Sequence, residues 1–456
     1  MKKLFNTLAI SLGLASAGAA SLLFLKVDRP KRGAIWLPKL LAGSLAPITG
    51  LLGAIGAGMG FTLRNPLAIL AGGFGSIVAA RYLSRAVAGH DAFSRAFGPG
   101  WQAELEQKLT PQQRQAMLSS RWQWRMSRPP EPRWQRDVCY WTIPAKISGT
   151  GAPRDLYCDI WEPPANVPPT GMAFLYFHGS AWHLGDKDFG TRPFFRHLAA
   201  QGHVVMDVAY RLCPEVDYKG MQADVRRAVA WMKENAAQYG INPQRIVIGG
   251  ASAGGHISLL VAYTPALPEL IPSDLRGKDV TVRGVISYYG PTDLRASFAS
   301  FGVIMPTEAP SLSASAEKPG LATRAIGAAM KAVLGESYDT LMREGQKLAL
   351  MTTRRMMDNL LGGSPGQVPS AWDMASPITY AGAGCPPTLL VQGEDDFITP
   401  INETRRLYGK LAANQVPAVL VTFPQTDHGF DLFLPEVSPV AQSALYDVDR
   451  FLAMLM

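Results

Sequence analysis

Ile248-Gly249-Gly250-Ala251-Ser252-Ala253-Gly254-Gly255-His256 lies between a β-rich run, Arg245-Ile246-Val247-Ile248, and an apolar helical run, Ile257-Ser258-Leu259-Leu260-Val261-Ala262-Tyr263. A serine between Gly250 and Gly254 at a strand-to-helix junction has the form of a nucleophile elbow. Such a tight turn requires almost no side chain at the flanking positions. It would lift Ser252 above the sheet edge, close to the first amides of the helix. Gly-x-Ser-x-Gly also occurs by chance, so its meaning depends on partners elsewhere.

Two partners follow in the order this chemistry requires. Pro387–Gly393 reads as a buried strand and is followed by the acidic loop Glu394-Asp395-Asp396-Phe397-Ile398-Thr399-Pro400. Ala418–Phe423 reads as the next strand and leads into Thr426-Asp427-His428-Gly429-Phe430. Ser252, Asp396 and His428 thus run in the order Ser…Asp…His, each just after an expected strand. A serine hydroxyl becomes an effective nucleophile only when a base takes its proton. The carboxylate fixes the imidazole tautomer and stabilises the imidazolium. Glu394, Asp395 and Asp396 are adjacent, so the residues alone leave the acid open among them; resemblance to the α/β-hydrolase pattern Gly-x-x-Asp-x-x-x-Pro, at Gly393, Asp396 and Pro400, implies Asp396, with Glu394 and Asp395 as solvated loop residues.

An acyl-transfer site also needs N–H groups aimed at the developing oxyanion. Phe174-Leu175-Tyr176-Phe177-His178-Gly179-Ser180-Ala181-Trp182 is a strand that ends in a loop of small residues, upstream of the elbow. Together these segments resemble the α/β-hydrolase superfamily. The loop is similar to the His-Gly-Gly-Gly and His-Gly-Gly-x-Trp loops of hormone-sensitive-lipase-like esterases and kynurenine-formamidase-like hydrolases. Asp207–Glu215, Tyr289–Leu294 and Ser376–Thr388 resemble further segments of the same family. The resemblance covers about residues 137–300 and 372–456. It implies an oxyanion hole formed by the amides of Ser180, Ala181 and Ala253, with Gly179 giving the loop its turn. Ser180 and Ala181 stand where the family carries glycine, which narrows the room beside the acyl group. The resemblance also implies a structural His178. Cys213 reads as a small core residue, His256 as a packing residue and Asp293 as a turn former.

The net charge of +8 is unevenly spread. Residues 1–136 hold 18 Lys+Arg against 5 Asp+Glu, a net of +13, and the rest hold 26 against 31, a net of −5. A basic segment suits anionic lipid or nucleic acid, and the apolar runs beside it decide for lipid. Leu4–Leu25 carries no charge and is long enough for a transmembrane helix. A second apolar stretch runs from Leu40 to Leu63 and a third from Pro66 to Ala80 or Leu83, with a turn at Arg64-Asn65-Pro66. Gly56-x-x-x-Gly60 either permits close helix approach in lipid or simply weakens its helix. Residues 1–19 also have the form of a signal peptide, with Lys2-Lys3 ahead of the apolar run and Ala17-Gly18-Ala19 as the cleavage signal, although the apolar run continues past it. If the second and third stretches both span, Lys26, Arg29, Lys31, Arg32 and Lys39 before them and Arg81, Arg85 and Arg95 after them, against Arg64 alone in their turn, place the catalytic part in the cytoplasm by the positive-inside rule, while Lys2 and Lys3 pull the other way for the first stretch. Four widely spaced cysteines suggest neither zinc nor a disulfide framework.

The domain layout expected is therefore membrane-anchoring segments over 1–85, a basic connector over 86–136, helical from Trp101 to Met126, and a hydrolase domain over 137–456. Strand–helix alternation predicts a mostly parallel central sheet with helices on both faces, preceded by a pair of opening strands. The alternation breaks between about 295 and 372, which predicts a helical cap insertion over Ser252. Its methionine-rich run, Met351–Met357, suits an adaptable acyl pocket or ordinary packing. The reaction expected is hydrolysis of a small-molecule ester, with lipid-like esters among the candidates, no metal or organic cofactor, a membrane as partner and no nucleic acid. Amidase, formamidase or acyltransferase chemistry would use the same site, and Trp182 after His-Gly fits the formamidase subgroup. A catalytically silent binding protein on this fold is the reading from a different class; such proteins usually lose a triad member, and here all three are present.

Overall fold

A computed structural model describes residues 1–27, 35–149, 151–301 and 351–456, together with 331 and 343. The chain opens with helices α1 (Lys2–Leu22), α2 (Trp36–Ser44), α3 (Ala46–Leu63) and α4 (Pro66–Ala86). The second apolar stretch, read as continuous from Leu40, breaks at Leu45. Pro47 sits in the first turn of α3, where its missing N–H costs no helical bond.

Helices α1, α3 and α4 are each long and apolar enough to cross a membrane. They pack on one another through small residues. A Cβ on Gly56 would lie 2.9 Å from the Gly13 amide nitrogen, and one on Gly75 would overlap Ser16. Leu4, Phe5, Leu51, Ile55, Phe61, Leu70 and Ile77 face outward and are exposed. This is the reverse of a water-soluble bundle, and it is the arrangement that lipid favours. Gly56 and Gly60 both sit at these close approaches, so the spacing marks a packing face.

The connector holds α5 (Ala92–Phe97), α6 (Trp101–Lys108) and α7 (Pro111–Ala116). The single helix expected from Trp101 to Met126 does not form. Thr110 caps a new helix with Pro111 at its first turn, and beyond Met117 two backbone amides bond to side chains of the C-terminal helix. The Leu118 amide donates to Asp449 at 2.9 Å and the Gln123 amide to Gln442 Oε1 at 2.7 Å. Trp122 donates Nε1 to the Val437 carbonyl at 3.1 Å, so it packs against the residues just ahead of the C-terminal helix.

The remaining strands are β1 (Arg133–Ile143), β2 (Arg154–Glu162), β3 (Ala173–Phe177), β4 (Val204–Val208), β5 (Ile246–Ala251), β6 (Gly284–Tyr288), β7 (Thr388–Gly393) and β8 (Ala418–Phe423). Among the described residues they form one sheet in the order β1-β2-β4-β3-β5-β6-β7-β8. The pairs β1–β2 and β2–β4 are antiparallel and the others parallel, as the alternation predicts. Helices α8 (Arg192–Ala200), α9 (Tyr218–Glu234), α10 (Ala253–Tyr263), α11 (Leu294–Phe301), α12 (Thr353–Leu361), α13 (Pro369–Met374), α14 (Ile401–Ala413) and α15 (Pro439–Leu455) complete the domain. One core contains α9, α10 and α14; the other contains α8 and α15 and takes in Leu40, Ala79 and Tyr82 from the N-terminal helices. Each fully buried Leu, Val, Ile or Phe here contributes about 1.5–3 kcal/mol relative to exposure.

β3 lies between β4 and β5, so strand order reverses there, and such switch points open a crevice at the carboxyl ends of the strands. Phe177 pairs with Gly250, which brings the loop after β3 and the elbow after β5 to the same edge. The middle of the expected cap lies outside the described residues. Its end is described: Met356 and Met357 of α12 are buried in the core, so they pack rather than line a pocket.

Candidate active site

The elbow is made by steric necessity. A Cβ on Gly250 would lie 2.1 Å from the Phe177 carbonyl oxygen, and one on Gly254 only 1.9 Å from it. No side chain fits where β3 crosses so close. Ser252 itself has φ +52° and ψ −120°, a sparsely populated conformation for a non-glycine residue. Its amide donates to the Tyr288 carbonyl at 2.9 Å, and its carbonyl accepts from the His256 amide at 2.9 Å. Both ends of the turn are thereby fixed, and Oγ projects from the strand edge.

His428 Nε2 lies 2.9 Å from Ser252 Oγ, and His428 Nδ1 lies 2.9 Å from Asp396 Oδ2. The structure thus brings together the three residues that the sequence separates by 176 and 32 positions. The Asp396 carboxylate is held by donors on both oxygens. The amides of Ile398 and Thr399 donate to Oδ1 at 2.9 and 2.8 Å, and Gln392 Nε2 donates to Oδ2 at 2.9 Å. An acceptor-only carboxylate at Nδ1 leaves the proton there and the lone pair at Nε2, facing the serine hydroxyl. Tyr289 packs its ring 4.4 Å from the imidazole, between centroids, and donates its hydroxyl to Asp431.

The loop after β3 runs through three consecutive left-handed residues, Ser180, Ala181 and Trp182, at φ +85°, +54° and +63°. His183 and Leu184 return their amides to the Ser180 carbonyl at 3.3 and 3.2 Å. Like the first turn of any helix, this turn leaves its leading N–H groups without internal acceptors. Among the described residues the amides of Gly179, Ser180, Ala181 and Ala253 have no hydrogen-bond acceptor. A Cβ on Gly179 would sit 3.0 Å from the Ala251 carbonyl oxygen and 3.3 Å from the Ser252 Cβ, so a side chain there would press on the elbow. Small backbone concavities of this kind bind anions.

The neighbouring residues behave as structure. His178 is buried, stacks on Tyr210 and bonds its own loop at the Gly179 carbonyl; burial holds its pKa below the ordinary value. Trp182 is buried and donates Nε1 to His256 Nδ1 at 3.1 Å, while His256 Nε2 meets the Ala375 carbonyl at 2.7 Å. The histidine therefore ties the loop, α10 and the insertion together, and burial lowers its pKa to about 4, leaving it neutral. The Cys213 thiol is buried and pushed up to about 12, which makes it inert. Asp293 accepts from the Ala296 amide at 3.2 Å, as a turn former should.

One expectation about the acid loop is corrected. Asp395 is not a solvated residue: Lys39 Nζ of α2 lies 2.9 Å from its Oδ2, and its side chain is 10% exposed. Sequence reasoning also missed Gln392, Trp36 and Lys39. Gln392 carried a signal, a polar residue in an otherwise apolar strand just ahead of the acid. A separate cavity of about 580 Å³ lies between Arg125–Pro129, α8 and α15, and none of the triad residues lines it.

Among known proteins, the BD-FAE family model matches residues 158–320 and 327–411. A Mycobacterium tuberculosis protein named probable carboxylic ester hydrolase LipM is 28% identical over 66% of this chain and 58% of its own length. Esterase LipQ of the same organism is 26% identical over 64% of this chain and 59% of its own length. The chain thus spans somewhat under two thirds of these relatives. The butyrate-bound esterase Est2 of Thermogutta terrifontis has 21% identity and a TM-score of 0.47, covering 71% of this chain and 94% of that one. With a family model matching more than half of its length, and with the mostly parallel sheet and strand-to-helix elbow described above, the chain belongs to the BD-FAE family of the α/β-hydrolase superfamily.

Proposed function

We propose that this chain is a membrane-anchored serine hydrolase that cleaves carboxylic esters. The observation that carries the reading is the hydrogen-bonded series Ser252–His428–Asp396, with both links at 2.9 Å. Ser252 Oγ attacks the ester carbonyl carbon as His428 Nε2 takes the hydroxyl proton. The C=O π electrons move onto oxygen, and the amides of Ser180, Ala181 and Ala253 stabilise that oxyanion, with Gly179 setting the loop's approach. The tetrahedral adduct collapses, the C–O bond to the alcohol breaks, and His428 gives its proton to the leaving oxygen. Water then attacks the acyl-enzyme with His428 again as base, which releases the acid and restores Ser252. Asp396 stays ionised throughout and stabilises the imidazolium.

The names of the relatives support ester hydrolysis. An amidase or formamidase would use the same site, and Trp182, which bonds to His256, packs in the core. Three helices long and apolar enough to span a membrane, with an apolar exterior, support anchoring through 1–85. Residues 86–136 then act as a connector and 137–456 as the hydrolase domain with its insertion. The Lys/Arg bias of the flanking loops supports a cytoplasmic catalytic domain. Anchoring at this place favours hydrophobic, lipid-like esters as substrates.

A fluorophosphonate probe tests the assignment. The wild type should label covalently and Ser252→Ala should not. Equal labelling of the two, or a folded wild type that does not label, would remove the serine-hydrolase reading.

A further inference from the structure

Helix α2 reaches both catalytic loops. Trp36 donates Nε1 to the main-chain carbonyl of His428 at 2.8 Å, and its ring meets Phe397 and Phe433 edge-on at 6.4 and 6.3 Å between centroids. Phe397 follows Asp396 directly, so one indole touches the neighbour of the acid and the backbone of the base. One turn further along α2, Lys39 Nζ lies 2.9 Å from Asp395 Oδ2 and 2.8 Å from Asp427 Oδ2, with its own side chain 1% exposed. Asp395 precedes Asp396 and Asp427 precedes His428. A single ammonium therefore ties the residue before the acid to the residue before the base. Ser44, at the end of α2, adds a third tie through the Phe433 carbonyl at 3.1 Å.

Among the described residues, Lys39 is the cation paired with Asp427. Among the described residues, neither oxygen of that fully buried carboxylate has a hydrogen-bond donor apart from the ion pair with Lys39. A buried charge needs such a partner. Burial already raises the Asp427 pKa to about 6 against the pull of Lys39. Without the ammonium, Asp427 must take up a proton or turn toward water, and His428, one peptide away, moves with it. Asp395 also keeps Lys26 at 3.4 Å, a lysine that is largely exposed.

We propose that Trp36 and Lys39 are positioning residues for the triad, so that the helix joining the apolar N-terminal segments to one another sets the geometry of the acid and base loops and makes ester hydrolysis depend on its docking. Neither residue touches substrate; both act through His428 and Asp396. The inference rests on the ester-hydrolase reading.

The test uses full-length protein in detergent micelles with 4-nitrophenyl butyrate. K39M should lower kcat at least about tenfold, and W36F, which keeps a smaller aromatic ring and loses the N–H, about three- to tenfold, both with KM within about twofold of wild type. K39R, which keeps the charge, should hold kcat within about threefold. Ser252 labelling rates by a fluorophosphonate should fall in step with kcat. If K39M does not fold, W36F and K39R carry the test alone. Wild-type kcat in W36F or K39M, or a loss confined to KM, overturns the positioning role while the hydrolase reading stands. A wild type with no turnover, and no more label than Ser252→Ala, removes the hydrolase reading and this inference with it.

Discussion

Gln392 Nε2 lies 2.9 Å from Asp396 Oδ2, the same oxygen that meets His428 Nδ1 at 2.9 Å. The amide cannot turn away, because its Oε1 accepts from Thr404 Oγ1 at 3.1 Å and its Nε2 also donates to the Thr399 carbonyl. Gln392 thus fixes the carboxylate from beneath the sheet edge. Gln392→Leu should lower kcat by about 10- to 100-fold through misplacement of the triad, with little change in KM. Steady-state kinetics on a soluble ester checks this, with circular dichroism to show that the fold is kept.

The acid assignment separates two adjacent residues. Asp396→Asn should lower kcat by about 10⁴-fold, because an amide no longer enforces the tautomer that leaves Nε2 free to take a proton. Asp395→Asn should cost far less, since Asp395 meets Lys39 and not the imidazole. Equal losses from the two substitutions would mean that Asp396 is not the acid.

Glycine substitutions should divide by steric surroundings. Gly254→Ala and Gly250→Ala place a methyl within about 2 Å of the Phe177 carbonyl, so both should unfold the domain or lower its melting temperature sharply. Gly409 lies inside α14, where an added Cβ meets nothing within 4 Å. Gly409→Ala should raise stability by about 0.5–1 kcal/mol through helix propensity. Thermal unfolding measured side by side decides both.

Glu403 gives the stability a pH dependence of known sign. It is buried in α14 and bonded to Ser297, and burial raises its pKa to about 8. In the unfolded chain it ionises near its ordinary value, so between about pH 4.5 and 8 the native state holds the extra proton and stability falls as pH rises. Glu403→Gln should flatten this part of the curve and raise the melting temperature at pH 8 relative to wild type. A pH series of melting curves for the two proteins is the measurement.

The N-terminal helices should behave as integral spans. After a carbonate wash the full-length protein should stay with the membrane pellet, and its appearance in the supernatant would sink the anchor. Gly53→Leu should loosen α1 from α3 and α4, because a Cβ there would lie 2.4 Å from Ser16 Oγ and 2.8 Å from the Gly72 carbonyl. Cysteine cross-linking between α1 and α3 should weaken accordingly.

Much of this molecule was legible in the sequence, for identifiable reasons. The central strands are short apolar runs ended by glycine or an acidic loop, and their helices follow apolar periodicity, so strands such as Ala418–Phe423 fall where the pattern places them. Ser252, Asp396 and His428 were readable because each sits at a strand end with a local signature. What failed to show depends on contacts between distant segments. Trp36 and Lys39 sit in a stretch whose composition says only apolar and basic, and nothing local reveals that they reach residues 392 and 356 positions away. The connector from Trp101 to Met126 has helix-forming composition, yet Asp449 and Gln442 of α15 supply better partners for its later amides than another helical turn would.

The bond between Trp36 and His428 also orders events in time. Synthesis proceeds at about 5–20 residues per second, so the base loop leaves the ribosome roughly 20–80 s after α2 has been made. Throughout that interval Ser252 is without His428, so on the triad reading the nascent chain would not yet turn over an ester. On that reading hydrolytic competence would follow only once the segment around His428 closes onto a helix made long before it. The N-terminal segment would then be a template on which the site is finished.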